Sequence, residues 1–101
     1  MIIVSGRIQV KTGARDAFLA ASHAAIVAAR ATPGCHDFVV APDPLESNRV
    51  NVYEEWETTA DLERFRGNGP GPDLTLSIDH ADVSRHQVPP RAHPDAPPPS
   101  R

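Results

Sequence analysis

Residues 50–57, VNVYEEWE, decide how the chain is expected to fold, because polar and apolar residues alternate along them as in a β-strand. Side chains at every second position of a strand point to the same face of a sheet. One face would then carry Val50, Val52, Glu54 and Trp56, and the other Asn51, Tyr53, Glu55 and Glu57. We expect the first face to be buried and the second to be solvated or to form an interface. A carboxylate, Glu54, therefore lies between a valine and the only tryptophan.

The segments around this strand predict three more strands and two helices. Alternation predicts strands over 2–10, 35–41 and 81–88, and extends the quoted strand to 49–57. Small and apolar residues at three-to-four spacing predict a helix over 14–31, which Pro33 and Gly34 end. Thr58, with Asp61 three residues later, resembles the capping box of a second helix that ends at Gly67. Residues 73–79 are ambiguous between helix and strand, and we favour a short helix there.

The order β-α-β-β-α-β predicts a ferredoxin-like α+β fold. Its four-stranded antiparallel sheet would have the first and third strands at its centre and both helices on one face. The other face would carry Ile3, Ser5, Arg7, Tyr53 and Glu55, a set too mixed for a core and too aromatic for plain surface. We therefore expect a second copy of the chain to cover that face, which makes a homodimer. This domain is expected to span 1–88, and a proline-rich tail to occupy 89–101.

Composition argues against several classes of function. The net charge of −3 and the lack of any lysine or arginine run disfavour nucleic-acid binding. The single cysteine, Cys35, cannot form an intramolecular disulfide or a cysteine-based zinc site. The five histidines are far apart and do not have metal-ligand spacing. Neither a signal peptide nor a membrane-spanning apolar run is present, so we expect a cytoplasmic protein that does not bind membranes.

Four segments resemble the antibiotic biosynthesis monooxygenase family: GRIQV, ATPGCHDF, RVNVYEEWE and ADVSRHQV. The resemblance covers residues 1 to about 88 and is most specific in Pro33-Gly34-Cys35 and in Val52-x-Glu54-x-Trp56. It implies that two chains form a dimeric α+β barrel. Family members are diverse: some oxidise aromatic polyketides or quinols with molecular oxygen and no cofactor, others degrade haem or isomerise small molecules, and many have no established role.

Two departures from the family pattern bear on the activity. Similar proteins that oxidise polyketides have an asparagine four residues before the tryptophan, where Val52 stands here. Haem-degrading relatives have an asparagine at the position of Gly6 and an axial histidine near the second helix, whereas no histidine occurs here between Trp56 and His80. The resemblance thus disfavours haem degradation. It leaves quinol oxidation possible, but without one hydrogen-bonding group that the family pattern would provide.

Three residues are candidates for a catalytic base: Glu54, His23 and His86. A carboxylate on an apolar face would have a raised pKa and could accept a proton near neutrality. For Glu54 we favour the alternative that backbone amides or an arginine hold the carboxylate as a structural brace. His23, on the first helix, and His86, on the last strand, could each accept a proton near pH 7. An exposed or merely packed side chain is the favoured alternative for both histidines.

Four further residues are expected to bind a substrate: Trp56, Val52, Phe18 and Phe38. Trp56 would offer a flat ring to an aromatic molecule in a cavity between sheet and helices, or would simply be a core residue. Relatives have a residue that lines the ligand cavity at this position, so the resemblance implies the same role for Trp56. Residues 67–72, GNGPGP, are expected to form a lid over the cavity mouth.

The resulting hypothesis is a monooxygenase that oxidises a small aromatic phenol, quinol or polyketide-like substrate with molecular oxygen, without a cofactor or a metal. The first alternative is a non-catalytic binding or accessory protein of the same fold, and the second is a cofactor-free isomerase or cyclase. An enzyme needs a polar group within hydrogen-bonding reach of its ligand. A carrier needs only an apolar cavity.

Overall fold

The computed structural model describes residues 1–67 and 77–90. In chain order the elements are β1 (Ile2–Val10), α1 (Arg15–Arg30), β2 (Cys35–Pro42), β3 (Arg49–Trp56), α2 (Thr59–Arg66) and β4 (Ile78–Gln87). The strands form one antiparallel sheet in the order β2-β3-β1-β4. The ferredoxin-like α+β fold is therefore confirmed, with β1 and β3 at the centre. The predicted lid lies outside the described residues except for Gly67, as does the predicted tail except for Pro89 and Pro90.

The last strand is longer than predicted. β4 begins at Ile78, so Ile78 and Asp79 of the ambiguous stretch are strand residues, as is His80. The physical reason is the neighbouring strand: β1 pairs with β4 along its full length and reaches Ile78 opposite Val10. Residues 73–76, where a short helix was favoured, lie outside the described part of the chain.

Gly34 explains how α1 gives way to β2. Its φ of +91° belongs to the left-handed region that other residues rarely adopt. A Cβ added there would lie 2.3 Å from the carboxyl carbon of Asp61, so the close approach of α2 also requires glycine. The Gly34 carbonyl accepts a hydrogen bond of 2.7 Å from the backbone N–H of Glu57. The helix stop predicted at Pro33 and Gly34 is confirmed.

The predicted alternation of β3 is confirmed on the face that the helices cover. Val4 pairs with Glu54 and Ile2 with Trp56 across β1 and β3, so these side chains point to the same side. The buried apolar residues of this side form two clusters: Ile2, Val4, Ala29, Phe38, Trp56 and Leu62 in one, and Val10, Phe18 and Val50 in the other. Both helices contribute to these clusters, which places the core between the helices and one face of the sheet.

Glu55, which we expected on a solvated or interface face, is already buried within a single chain. Only 4% of the residue is exposed within a single chain. The Tyr53 hydroxyl, two residues away on the same face, donates a hydrogen bond of 2.5 Å to Glu55 Oε1. A buried carboxylate is tolerated when such partners replace the water that it loses.

Candidate functional site

A cavity of about 270 Å³ lies between the sheet and the two helices. Every element contributes to its wall, and the apolar side chains among the lining residues are Ile8, Ala25, Phe38, Val40, Val52, Phe65 and Val83. Three polar residues complete the lining: Ser22, Glu54 and Arg66. A mostly apolar cavity with a few converging polar groups is typical of small-molecule sites, and this volume lies near the lower end of their range.

Gly6 shapes the sheet beneath the cavity. It lies between Val52 on β3 and Val83 on β4, which both line the cavity, and it has no side chain to fill the space between them. A Cβ at this position would lie 2.1 Å from the carbonyl oxygen of Asp82, which is far inside contact distance. Any side chain at this position, an asparagine included, would therefore require β4 to move.

Glu54 lies in the cavity wall and is 4% exposed. Its Oε1 accepts a hydrogen bond of 2.9 Å from the indole Nε1 of Trp56. Its Oε2 lies 2.6 Å from Nη2 of Arg66, a charge-assisted hydrogen bond and ion pair. An arginine and an indole thus hold the carboxylate, in the arrangement that a brace between β3 and α2 requires.

Arg66 is a cavity residue that sequence reasoning missed. The Arg66 side chain is 37% exposed while that of Glu54 is 5% exposed, so the guanidinium lies nearer to solvent than the carboxylate does. A usable signal was present in the sequence. Leu62, Phe65 and Arg66 stand at i, i+3 and i+4 and therefore share one helix face, and Leu62 is fully buried.

The aromatic surface of the cavity comes from Phe38 and Phe65 rather than from Trp56. Trp56 is fully buried, and its ring centroid lies 5.4 Å from that of Phe65. Phe65 in turn meets Phe38 edge to face, with 5.7 Å between the centroids. Trp56 therefore packs behind the aromatic wall, and its polar edge is occupied by Glu54.

The structure brings only some of the predicted site residues together. Glu54, Val52 and Phe38 line the same cavity. Phe18 is buried in the second core cluster, and His23 is exposed on α1. His86 pairs with Ile3 on the sheet face away from the helices, where it lines a shallow polar depression with Ser5 and Ser84. The two candidate histidines therefore lie apart from Glu54 and from each other.

Ser22 is the third polar residue of the cavity. It is buried, and its hydroxyl donates a hydrogen bond of 2.8 Å to the carbonyl oxygen of Phe18 one turn earlier. Because this bond uses the hydroxyl hydrogen, the oxygen keeps the capacity to accept a hydrogen bond. A ligand with an N–H or O–H donor could bind there.

The cysteine beneath the aromatic wall is poorly suited to nucleophilic chemistry. Burial, followed by the negative charge of Glu54, raises the pKa of the Cys35 thiol above its usual value. A raised pKa lowers the thiolate fraction near neutrality.

Among residues 1–67 and 77–90, no group of histidine, cysteine, aspartate and glutamate side chains is arranged to hold a metal ion. Over the same ranges, no helix is long and apolar enough to cross a membrane.

Comparisons with known proteins place this fold among relatives. The chain is similar to an uncharacterised protein, sll1783, of Synechocystis sp., with 34% identity over 62 residues, which are 61% of this chain and 42% of that protein. The chain thus spans less than half the length of this relative.

Two solved structures show the same fold. A conserved protein from Methanosarcina mazei has a TM-score of 0.77 and 20% identity over 85% of this chain and 90% of its own. Rv0793 from Mycobacterium tuberculosis has a TM-score of 0.73 and 19% identity over 91% and 98%.

A family model assigns the chain. Residues 1–70, which include β1 to β3, both helices and all cavity residues except Val83, match the model described as antibiotic biosynthesis monooxygenase. The match covers well over half of the chain and includes both Pro33-Gly34-Cys35 and Val52-x-Glu54-x-Trp56. The chain therefore belongs to the antibiotic biosynthesis monooxygenase family.

Proposed function

We propose that the chain is a cofactor-independent monooxygenase that oxidises a small aromatic phenol, quinol or polyketide-like molecule with molecular oxygen. The observation that carries the proposal is the cavity of about 270 Å³ between sheet and helices, walled by aromatic and aliphatic side chains around one partly buried ion pair. Family membership supports the reaction class. The volume and lining support a ligand of one or two rings.

The substrate itself would supply the electrons for this reaction. Loss of a proton from an electron-rich ring system gives an anion, which passes one electron to oxygen before the two radicals combine at carbon. When a ring CH₂ group is oxidised to a carbonyl, one oxygen atom stays on carbon and the other leaves as water. All four electrons then come from the substrate. The protein has to supply a dry cavity and a surface that orients the ring.

The residues of the cavity divide between these tasks. Phe38 and Phe65 would hold the ring, and Val52 would limit its size. Trp56 would act on the ligand through Phe65, which it supports from behind. The paired state of Glu54 supports a structural and electrostatic role for it rather than that of a free base.

Oxygen uptake by the purified, metal-free protein tests the proposal, with a panel of quinols, anthrones and naphthols as substrates. Val52→Trp, which fills the cavity, should lower the rate at least about tenfold, equivalent to about 1.4 kcal/mol in the barrier. Val27→Trp is the matched control, because Val27 is exposed on α1 and does not line the cavity. Uptake that Val52→Trp leaves unchanged would show that the reaction occurs elsewhere.

One observation favours a non-catalytic binding protein as the second candidate. Both oxygens of Glu54 already accept hydrogen bonds from the protein, and among the described residues no histidine lines the cavity. A carrier needs no base and would show this arrangement. Ligands of the same panel that bind without oxygen uptake would favour this candidate.

We further propose that two chains associate through the sheet face that the helices leave open. Ile3, Val39 and Tyr53 are half-buried on that face, which also carries charged residues of both signs, including Arg7 and Asp82. Such a mixture suits an interface with an apolar centre and a polar rim. Light scattering should give the mass of a dimer for the wild type and for Val27→Asp, and a mass shifted toward the monomer for Val39→Asp. A monomeric wild type would contradict this arrangement.

A further inference from the structure

The charge in the cavity wall is arranged in a definite order from solvent inward. Among the described lining residues, Arg66 and Glu54 are the charged ones. The Arg66 side chain is more than a third exposed, and that of Glu54 is 5% exposed. Of the two charged side chains, Arg66 is therefore the one that is open to solvent.

The guanidinium of Arg66 is built to bind more than one oxygen. It carries five N–H donors in a plane, and its ion pair with Glu54 is made through Nη2. Planar, forked donors suit carboxylates and other oxyanions, and such charge-assisted bonds are among the stronger hydrogen bonds in proteins. Arg66 lines the cavity next to Phe65, so its charge is held at the edge of an apolar surface.

Glu54 acts as a positioning residue in this arrangement. Its negative charge is shared between two donors, the indole of Trp56 at 2.9 Å and the guanidinium of Arg66 at 2.6 Å. Because Trp56 satisfies one of the two oxygens, Arg66 does not have to compensate the carboxylate alone. The ion pair fixes the direction of a long side chain that would otherwise move freely in solvent.

We propose that the cavity takes its aromatic ligand as an oxyanion, with Arg66 as the partner of the negative charge. The proposal rests on the function proposed above, because it assumes that this cavity is the small-molecule site. The ring would lie against Phe38 and Phe65, and the oxyanion would lie beside the guanidinium. A phenol would release its proton to bulk water as its phenolate binds, so the protein would need no base of its own in the cavity.

A pair of ligands of the same shape and different charge tests this proposal directly. Binding of 2-naphthoate and of 2-naphthamide is measured by calorimetry near neutral pH, where only the carboxylate is charged. We expect the wild type to bind 2-naphthoate at least about tenfold more tightly, because one charge-assisted hydrogen bond contributes roughly that factor. Arg66→Lys should keep part of the preference, since it retains the charge and loses the fork.

The decisive variant removes both charges at once, because Arg66→Met alone would leave Glu54 buried without its ion-pair partner. In Glu54→Gln/Arg66→Met the glutamine can still accept the Trp56 hydrogen bond, and the ratio of the two affinities should fall to about one. Glu63→Gln/Arg85→Met is the matched control. It removes the other ion pair between α2 and the sheet, which does not line the cavity, and should leave the ratio unchanged.

A second probe identifies the kind of oxyanion. The phenolate of 4-nitrophenol absorbs visible light and the phenol does not, so its spectrum reports the form that is bound. Bound phenolate would assign the site to ionised phenols. Bound neutral phenol, together with preference for 2-naphthoate, would assign it to aromatic carboxylates, and both results support the proposal.

Two results would overturn the proposal. Equal affinity for 2-naphthoate and 2-naphthamide in the wild type would contradict the role of Arg66 and leave the proposed function standing. A preference for 2-naphthoate that persists in Glu54→Gln/Arg66→Met, while this variant keeps the wild-type fold, would likewise contradict the role of Arg66 and leave the proposed function standing. Binding of no member of the naphthyl and quinol panels would instead reject the cavity as a small-molecule site, and the oxyanion proposal with it.

Discussion

Two ion pairs join α2 to the sheet, and they differ in almost every physical respect. Arg66 reaches Glu54 on β3 inside the cavity wall, and Glu63 pairs with Arg85 on β4 at the surface. The inner pair contains a carboxylate that is 5% exposed, whereas both partners of the outer pair are about half exposed. In sequence, each pair is simply one arginine and one glutamate. Only burial separates a charge that can act on a ligand from one that water screens.

The largest expected effect comes from breaking the inner pair. In Arg66→Met the buried carboxylate of Glu54 loses its ion-pair partner and keeps the hydrogen bond from Trp56. We expect a loss of about 2–3 kcal/mol in the free energy of unfolding. Removal of one partner from a fully buried pair costs about 3–5 kcal/mol, and the exposure of Arg66 reduces that figure.

Arg85→Met is the comparison for this prediction, and urea denaturation is the measurement. We expect Arg85→Met to change stability by less than about 1 kcal/mol, as for other exposed pairs. Equal losses for the two variants would show that burial does not distinguish the pairs. High salt should lower the stability of Arg66→Met no more than that of the wild type.

A smaller effect is expected from removing the indole donor of the inner pair. Trp56→Phe keeps a large aromatic ring against Phe65 but deletes the N–H that Glu54 Oε1 accepts. We expect a loss of about 1–3 kcal/mol, because the hydrogen bond is to a charged group and the smaller ring leaves some space. Thermal denaturation followed by circular dichroism measures it. A variant as stable as the wild type would mean that Trp56 contributes packing alone.

The smallest effect concerns a third carboxylate, which lies far from the cavity in the β2–β3 loop. Asp43 accepts hydrogen bonds from the Asn51 side chain and from the backbone N–H groups of Glu46 and Leu45, which lower its pKa to about 2. Because the folded pKa lies below the ordinary value of 3.8, this carboxylate stabilises the fold above about pH 4.

That contribution should be lost as the pH falls from about 4 to about 2. Asp43→Asn should therefore flatten the acid limb of the stability curve over that range, as measured by urea denaturation at several pH values. Glu46→Gln is the control, since Glu46 is exposed at the same loop. An acid limb that is identical in wild type and Asp43→Asn would contradict the lowered pKa.

The sequence predicts the sheet and the face of each central strand well, because alternation is a local property. For the same reason it places Val52 and Glu54 on one face of β3, whereas the position of Phe38 opposite Glu54 depends on the register between β2 and β3. Arg66 could not be placed in this way, since its role depends on where α2 lies over β3. The α2 periodicity gives a helix face, and tertiary packing determines what that face meets.

The placement of Trp56 and His86 shows two further limits of sequence reasoning. Trp56 and Phe65 are both large aromatic residues, and packing alone decides which of them forms the cavity wall. His86 is assigned to a face by the register between β1 and β4, and a shift of one residue would reverse that assignment. The local sequence pattern predicts neither which aromatic residue lines the cavity nor which face of the sheet carries His86.

Methyl NMR with added 2-naphthoate tests most directly the central claim, which is that the helix-covered face of the sheet holds the ligand site. Val39 and Val40 are adjacent on β2 and point to opposite faces, so they form an internal control. We expect the methyl signals of Val40 and Val52 to shift on titration while those of Val39 and Ile3 stay in place. Shifts at Val39 and Ile3 instead, or no shifts at any of these methyls, would contradict the claim.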